Sequence, residues 1–407
     1  MADDINTINT SSGKADGLNK CPKCGSTEIS TQPGTGRLIC NYCRNVFDPP
    51  APVGSPLGTG AAAPPPTGIP VLTSEQTGTH EVRGSGAADI DASVDTVVTI
   101  TCQGCGAEVV VDTDETMTAR CHWCRQLLSV ENQIPNGAVP DILLPFMLSK
   151  EQASKLIEGF VSKRKFFANK TFKAEFTTEN IRGVYLPYFV IDATTHGTFK
   201  GTAGHVFRKY TRGTGNQREF YYDIDYYDIG RDFDLLVDGL TIEGNSKRRN
   251  VDIFANTNNV INSIMPFDVE NAIAYNGNYL KGFTSERRDT NIDDLRGLAQ
   301  LQMSDVARVQ ANGTATTYDA GIKWEEQDLS VKNSLWRSAY FPVWLYSYME
   351  TQKNGKKLLH YVAVNARTGE TMGSVPVSKR RLFIVAAIIE IIAIPIAILV
   401  IVAGILS

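Results

Sequence analysis

The sequence predicts an α+β protein with two small four-cysteine units, a mainly antiparallel β domain with a few helices, and one C-terminal transmembrane helix. Three observations support this fold class. All eight cysteines of the 407 residues fall into two groups of equal spacing. Residues 139–378 contain many runs of aromatic and β-branched residues, which favour strands. The final run, residues 382–406, is apolar apart from Glu390 and is long enough to cross a bilayer.

Each cysteine group has the form Cys-x2-Cys, fifteen intervening residues, Cys-x2-Cys. Two such pairs at this distance are typical of zinc ribbons, in which two tight turns direct four thiolates at one tetrahedral ion. Four thiolates leave no coordination position for a substrate, so we expect two structural Zn2+ ions. Iron of the rubredoxin type is the alternative. The predicted ligands are Cys21, Cys24, Cys40 and Cys43 in the first ribbon, and Cys102, Cys105, Cys121 and Cys124 in the second.

Composition divides the chain into six segments. Residues 1–17 are polar and are predicted to be a disordered N-terminus, and residues 18–48 hold the first ribbon. Residues 49–93 contain eight of the eighteen prolines and no apolar period, which predicts a Pro/Gly-rich disordered linker. The second ribbon follows at 94–131, the α+β domain at 139–378 and the transmembrane helix at 382–406.

Within the α+β domain, local patterns predict individual elements. Ser149 and Gln152 have the spacing of a capping box at a helix start, and further helices are expected near 268–277 and 291–311. Gly369 suits the turn of a hairpin near the end of the domain. The runs "VYLPYFV" (184–190) and "AYFPVWL" (339–345) share a pattern, and their prolines suggest two edge strands of a duplicated unit. Two unrelated core strands are the alternative.

Cysteine usage and flanking charge predict the location. Cysteines confined to Cys-x2-Cys pairs indicate a reducing compartment, and the N-terminus lacks the pattern of a signal peptide. Lys379, Arg380 and Arg381 precede the apolar run, and basic residues mark a cytoplasmic flank. We therefore expect a single-pass protein of the cell membrane with most of the chain in the cytoplasm, a buried core helix being the alternative. Glu390 would lie near the headgroups or meet a polar group of a partner helix.

Several activities lack their motifs. The chain has no phosphate-binding loop, no dinucleotide fingerprint and no cysteine outside the ribbons to act as a nucleophile, so no enzyme is predicted. The acidic run "FYYDIDYYDIGRDFD" (220–234) alternates as a half-exposed strand does, with a calcium site as the alternative. Net charge is +2 over residues 18–48 and −2 over residues 100–130, so nucleic-acid binding is not favoured.

Four stretches carry a resemblance to a known family: "LLPFMLSKEQA" (143–153), "GVYLPYFVIDA" (183–193), "MPFDVENAIAYNGNYLKGF" (265–283) and "VNARTGETMGSVPVS" (364–378). With the four-cysteine units, they make the chain similar to bacterial membrane-associated proteins described as TFIIB-type zinc-ribbon-containing proteins. The resemblance implies an N-terminal ribbon, an aromatic strand domain and a C-terminal hydrophobic helix. It implies no particular biochemical activity. The doubled ribbon and long linker depart from the single-ribbon form.

These inferences predict a non-enzymatic, membrane-anchored zinc-binding protein that recruits a protein partner through its ribbons at the cytosolic face of the membrane. A tethered module has a raised effective concentration for partners near the surface, so the first ribbon is expected to be a mobile binding head. The second ribbon, close to the domain, is expected to be structural. Nucleic-acid binding by the first ribbon and an enzyme site in the α+β domain are the alternatives. Partner identity and oligomeric state stay open.

Overall fold

The computed structural model describes residues 7–8, 21–24, 26, 29–32, 34–48, 80–91, 93–94, 97–101, 108–113, 116–120, 127–130, 134, 136–164, 166–213, 218–246, 264–351 and 357–406. Its helices are α1 (Lys150–Arg164), α2 (Lys170–Glu175), α3 (Ile292–Gly313) and α4 (Lys379–Leu406). Its strands are β1 (Thr7–Ile8), β2 (Ile29–Thr31), β3 (Leu38–Cys40), β4 (Val46–Phe47), β5 (His80–Arg83), β6 (Val97–Thr101), β7 (Glu108–Asp112), β8 (Thr118–Arg120), β9 (Leu127–Ser129), β10 (Ile142–Leu143), β11 (Arg182–Arg212), β12 (Glu219–Glu243), β13 (Ile273–Ala274), β14 (Thr284–Ser285), β15 (Ile322–Thr351), β16 (Lys357–Asn365) and β17 (Thr371–Gly373).

The predicted α+β class is wrong, because the described chain is mostly β sheet with few helices. Strands β11, β12 and β15 are 31, 25 and 30 residues long and run without a break. Glycine explains part of this continuity: a Cβ at Gly201 would lie 2.1 Å from the carbonyl oxygen of Lys323 on β15. Glycine therefore permits a close backbone approach without ending the strand. The helix expected near 268–277 is only a 3-10 turn, Val269–Asn271.

The prediction of a transmembrane helix at 382–406 is also wrong. The run is helical in α4, yet no helix within the described residues is long and apolar enough to cross a membrane. The side chains described along α4 extend from Arg380 to Ile391 and from Ala393 to Pro395, and they include Arg380, Arg381 and Glu390. A bilayer core needs about 20 apolar residues, which is more than this described stretch supplies.

The main sheet is built on three antiparallel strands. Strand order runs β12-β11-β15-β10-β13, and β5, β14, β16 and β17 pair at the sides of this path. Strand β11 pairs with β12 from Tyr188–Glu243 to Arg212–Glu219, and with β15 from Arg182–Leu345 to Ala203–Ile322. Helix α3 covers one face with residues spaced by one helical turn, namely Ile292, Leu295, Ala299, Met303 and Ala307.

The two matching proline motifs lie side by side instead of at two edges. In the β11–β15 ladder, Tyr185 pairs with Pro342, and Pro187 pairs with Tyr340. Both strands are internal to the sheet, so the expected edge position is wrong. The prolines are tolerated because each lies one residue beyond the end of a neighbouring ladder. The ladder between β11 and β12 ends at Tyr188 of β11, one residue after Pro187. The ladder between β15 and β16 begins at Val343 of β15, one residue after Pro342.

The predicted linker boundary at residue 93 is corrected by the structure. Strand β5 pairs in parallel with Asn333–Trp336 of β15, so residues 80–91 belong to the folded body. Polar contacts with residues far away in the sequence hold this segment. For example, Asp141 accepts a hydrogen bond from the backbone N–H of Gly86 at 2.7 Å. Strand β1, which lies in the N-terminus predicted to be disordered, pairs with β6. Residues 49–79 lie outside the described residues.

Substitution of Arg288 by methionine is expected to release residues 80–91. The buried guanidinium donates to the carbonyl oxygens of Gly86 (3.1 Å), Ala88 and Thr290 (2.8 Å). An unsatisfied buried polar group costs about 1–3 kcal/mol. Hydrogen exchange should therefore accelerate in residues 80–91 of Arg288→Met. Arg308→Met, on the exposed face of α3, is the control and should leave exchange there unchanged.

Candidate metal centre

The first ribbon folds from two short turns that each carry a cysteine pair. Strands β2, β3 and β4 form a small antiparallel sheet. One cysteine pair precedes β2 and the other begins at the last residue of β3, and both lie at the same open end of this hairpin because Ile29 pairs with Cys40. In the first turn the N–H of Cys21 donates to the carbonyl of Ser26 at 2.8 Å. In the second turn the N–H of Cys40 donates to the carbonyl of Asn45 at 2.9 Å, and Arg44 takes a φ of 61°. These turns direct both cysteine pairs toward one point.

The four sulfurs of Cys21, Cys24, Cys40 and Cys43 can hold one metal ion. All four Sγ atoms lie within 4.8 Å of one another, and the Cys21–Cys43 and Cys24–Cys40 pairs are each 3.6 Å apart. A Zn–S bond of about 2.3 Å gives a tetrahedral S–S edge of about 3.8 Å, close to these separations. A disulfide requires about 2.0 Å, so the cysteines are free thiols positioned as ligands.

Backbone N–H groups favour the thiolate form of two of these cysteines. Burial by itself raises the pKa of Cys40, but the N–H groups of Cys43 and Tyr42, together with the neighbouring thiols of Cys24 and Cys43, outweigh it and lower that pKa to about 6. Burial also opposes ionisation of Cys21, and the N–H groups of Cys24 and Lys23 lower its pKa. Since a metal ion binds thiolates and not thiols, this hydrogen bonding suits a cation site.

The first ribbon packs directly on the β body instead of swinging freely. The N–H of Gly34 donates to the carbonyl of Met147 at 2.9 Å. Leu38 and Phe47 of the ribbon share a hydrophobic cluster with Phe146 and Tyr279 of the body. The expectation of a mobile binding head is therefore corrected. The contacts join residues more than 100 positions apart, which is why linker composition did not reveal them.

Two glycines of the ribbon provide a matched test of this docking. Gly36 has a φ of +66° and a Cβ there would meet the Pro145 Cβ at 3.1 Å, whereas Gly34 has a φ of +84° and open space around it. Alanine should cost about 1–2 kcal/mol of backbone strain at either position. Only Gly36→Ala adds a clash with the β body, so it should accelerate hydrogen exchange at residues 146 and 147 more than Gly34→Ala does. Equal exchange in the Gly36→Ala and Gly34→Ala variants would contradict the docked arrangement.

The outward side of the ribbon presents polar and aromatic groups. Tyr42 is 80% exposed, and Lys23, Cys24 and Arg44 are exposed as well. Arg37 forms a two-point ion pair with Asp48 at 3.1 Å, so part of the basic charge of this ribbon is neutralised locally.

The predicted ligands of the second ribbon, Cys102, Cys105, Cys121 and Cys124, lie outside the described residues. The hairpins around them are described. Strands β6 and β7 pair from Val97–Asp112 to Thr101–Glu108, and β8 pairs with β9 from Thr118–Ser129 to Arg120–Leu127. The described part of each ladder reaches the residue before a predicted ligand, Thr101 before Cys102 and Arg120 before Cys121.

The acidic run 220–234 extends along β12, as the strand prediction requires. Its carboxylates divide between the two faces of the sheet, with Asp223 and Asp225 on one face and Asp228, Asp232 and Asp234 on the other. Asp234 contacts His196 Nδ1 at 2.9 Å. Across the described residues, the four cysteines of the first ribbon are the group of His, Cys, Asp or Glu side chains close enough to hold a metal ion. The calcium alternative is thus not supported there.

One cluster of titratable side chains has no counterpart in the sequence analysis. His360 is buried, with Nδ1 at 3.1 Å from Ser374 Oγ and Nε2 at 3.2 Å from Glu350 Oε2. Glu350 Oε1 accepts a hydrogen bond from Asn169 Nδ2 at 3.0 Å, and Asn169 caps α2. The arrangement ties α2 to the sheet through β15, β16 and Ser374, the residue that follows β17. Only the register of these strands brings the four residues together, so no local motif could have indicated it.

Comparisons with known proteins give one distant relative. The chain is 19% identical over 248 residues to a Bacillus subtilis (strain 168) protein described as "Uncharacterized protein YdjG". The aligned region covers 61% of this chain and 67% of that protein. No family model and no solved structure matches the chain.

Proposed function

We propose that the chain is a non-enzymatic zinc-binding protein of the TFIIB-type zinc-ribbon kind, whose first ribbon is fixed on a β body and recruits a protein partner. The observation that carries this proposal is the group of four sulfurs at tetrahedral spacing in the first ribbon. Zinc suits a site of four thiolates because structural Zn2+ takes four sulfur ligands in a tetrahedron, which leaves no coordination position open.

The outward groups of the ribbon favour a protein as the partner. Tyr42 is 80% exposed, and tyrosine, which is amphipathic, is enriched at protein interfaces. The Arg37–Asp48 pair reduces the basic charge that binding to a phosphate backbone would use. Attachment to the body supports recognition as well, since a preorganised surface loses less entropy on binding than a tethered one.

Metal content of the full chain tests the zinc assignment. Elemental mass spectrometry should find two zinc ions per wild-type chain. The double variant Cys21→Ser/Cys24→Ser should hold one zinc ion per chain, and so should Cys102→Ser/Cys105→Ser. Recovery of iron instead of zinc would refute the identity of the metal. Undiminished zinc in the first double variant would refute the site itself.

Surface substitutions test the recruiting role separately. We expect Tyr42→Ala/Lys23→Glu to keep its zinc and to lose the proteins that wild-type chain captures, compared by quantitative mass spectrometry of affinity eluates. Glu158→Lys, an exposed change on α1, is the control. A double variant that captures the same proteins as wild type would show that this surface does not recruit them.

A further inference from the structure

The outer edge of β12 is an unusually long open strand edge. Strand β12 has 25 residues and lies at the end of the strand order, where β11 is its hydrogen-bonded neighbour. In the part of the chain that the structure describes, no strand pairs with its other side. Unpaired N–H and C=O groups along such an edge can form a ladder with an added strand.

Apart from acidic side chains, the usual devices that block edge pairing are missing from much of this strand. Natural edges are shortened, bulged or interrupted by lysine or proline. Strand β12 contains neither lysine nor proline. From Glu219 to Val237 it pairs without a bulge of its own, because the extra residue at the irregularity near Val206 lies on β11.

The two faces of β12 near its start differ in charge, and both carry exposed aromatic residues, with Tyr221 and Tyr227 on the face opposite Phe220. Ile229 and Val237 contribute to the core beneath α3, so residues at even positions up to 236 lie on the open face of the sheet. Phe220, Tyr222 and Tyr226 occupy that open face and are 74%, 53% and 72% exposed. Aromatic groups exposed together in this way mark an interaction surface.

The alternate positions on the same stretch carry acid groups. Asp223 and Asp225 lie between the aromatic residues and point to the other face. Over its full length β12 has eight carboxylates and one arginine, Arg231. A second copy of this chain would set these carboxylates against each other, and like charges placed opposite each other in a sheet are destabilising. The charge that repels a second copy attracts a basic strand.

We propose that the edge Phe220–Tyr226 binds an extended basic segment of a partner protein, which adds as a strand beside β12. In this arrangement apolar residues of the segment pack beside Phe220, Tyr222 and Tyr226 on one face. Lysine or arginine residues at the alternate positions face Asp223 and Asp225. Main-chain hydrogen bonds supply affinity, and the alternating pattern supplies selectivity. The site is separate from the metal centre.

A short fluorescent peptide that alternates lysine with valine and tyrosine is the probe, added to the full chain and followed by anisotropy. We expect binding that weakens with salt, and binding about tenfold weaker to Asp223→Asn/Asp225→Asn. Glu158→Lys is the control variant and should bind as wild type does. The strand edge is tested with the same peptide N-methylated at alternate residues, which keeps charge and removes hydrogen-bond donors; we expect it not to bind.

Three results would overturn the proposal. Equal binding of the N-methylated peptide would show charge attraction without strand addition. Equal binding of a peptide with glutamate in place of lysine would show that charge is not recognised. Preferential binding of single-stranded DNA, with loss on Tyr222→Ala, would assign the aromatic groups to nucleic acid. Circular dichroism of each variant confirms that the sheet is retained, so that weak binding reports the edge and not unfolding.

Discussion

Cys40→Ser is expected to remove the metal from the first ribbon and to detach the ribbon from the β body. Cys40 is buried and contributes one of the four clustered sulfurs. Metal binding supplies about 10–16 kcal/mol in isolated zinc-finger peptides, and the small sheet β2–β3–β4 has little core of its own. Hydrogen exchange should therefore rise throughout residues 29–47 and at Met147, with one fewer metal ion per chain by mass spectrometry.

Two comparisons make this expectation specific. Tyr42→Ser changes an exposed residue in the same turn and should keep both metal and exchange protection. A strong chelator added to wild-type chain should reproduce the exchange pattern of Cys40→Ser, while the β11–β12–β15 sheet keeps its protection. Metal loss without any change in exchange at residues 29–47 would mean that the ribbon is held by packing alone.

Arg337→Met is expected to lower the free energy of unfolding by about 3–5 kcal/mol at neutral pH, because it leaves the Asp192 carboxylate buried without its partner. Arg337 and Asp192 form an ion pair with side chains only 8% and 5% exposed. Asp192 also accepts a hydrogen bond from the N–H of Gly239 at 2.9 Å, at the irregularity in the β11–β12 ladder. Urea unfolding of the full chain measures the loss.

The pH dependence of this loss follows from the Asp192 carboxyl group. Burial raises its pKa above the ordinary value of about 4, and the Arg337 charge opposes that rise. A group with a raised folded pKa favours folding below its unfolded pKa, and this contribution is lost as pH rises through the folded pKa. The deficit of Arg337→Met should therefore shrink as pH falls from 7 toward about 4.

Asp192→Asn/Arg337→Met provides the control for the same pair. It removes the unpaired charge and keeps an oxygen that can accept from Gly239. We expect it to recover most of the stability lost in Arg337→Met and to show no pH dependence from this site. A single variant as stable as wild type at neutral pH would contradict a contribution of the pair to folding.

Short-range sequence patterns predicted several elements correctly. The capping box at the start of α1 is present, with the N–H of Ser149 donating to Gln152 Oε1 at 2.8 Å and the N–H of Gln152 donating to Ser149 Oγ at 3.3 Å. The hairpin turn at Gly369 has the expected positive φ of 81°. The helix expected near 291–311 is α3. Each depends on residues a few positions apart, and their geometry follows from local chemistry.

Patterns failed where distant segments decide the outcome. The proline motifs in β11 and β15 predicted two edges, but pairing between them buries both. Residues 80–91 read as linker, but Arg288 and Asp141 supply their hydrogen-bond partners from more than 50 positions away. Such partners leave no local trace in composition or periodicity.

By itself, the sequence determined that two cysteine pairs separated by fifteen residues can direct four thiolates at one metal ion, because each turn is built from a few adjacent residues. Only the tertiary structure decided where the first ribbon lies. Gly34 and Gly36 meet Met147 and Pro145 across more than 100 residues, so the ribbon becomes part of the β body. The tertiary structure also left the acidic, aromatic edge of β12 open, because strand order depends on packing between distant strands.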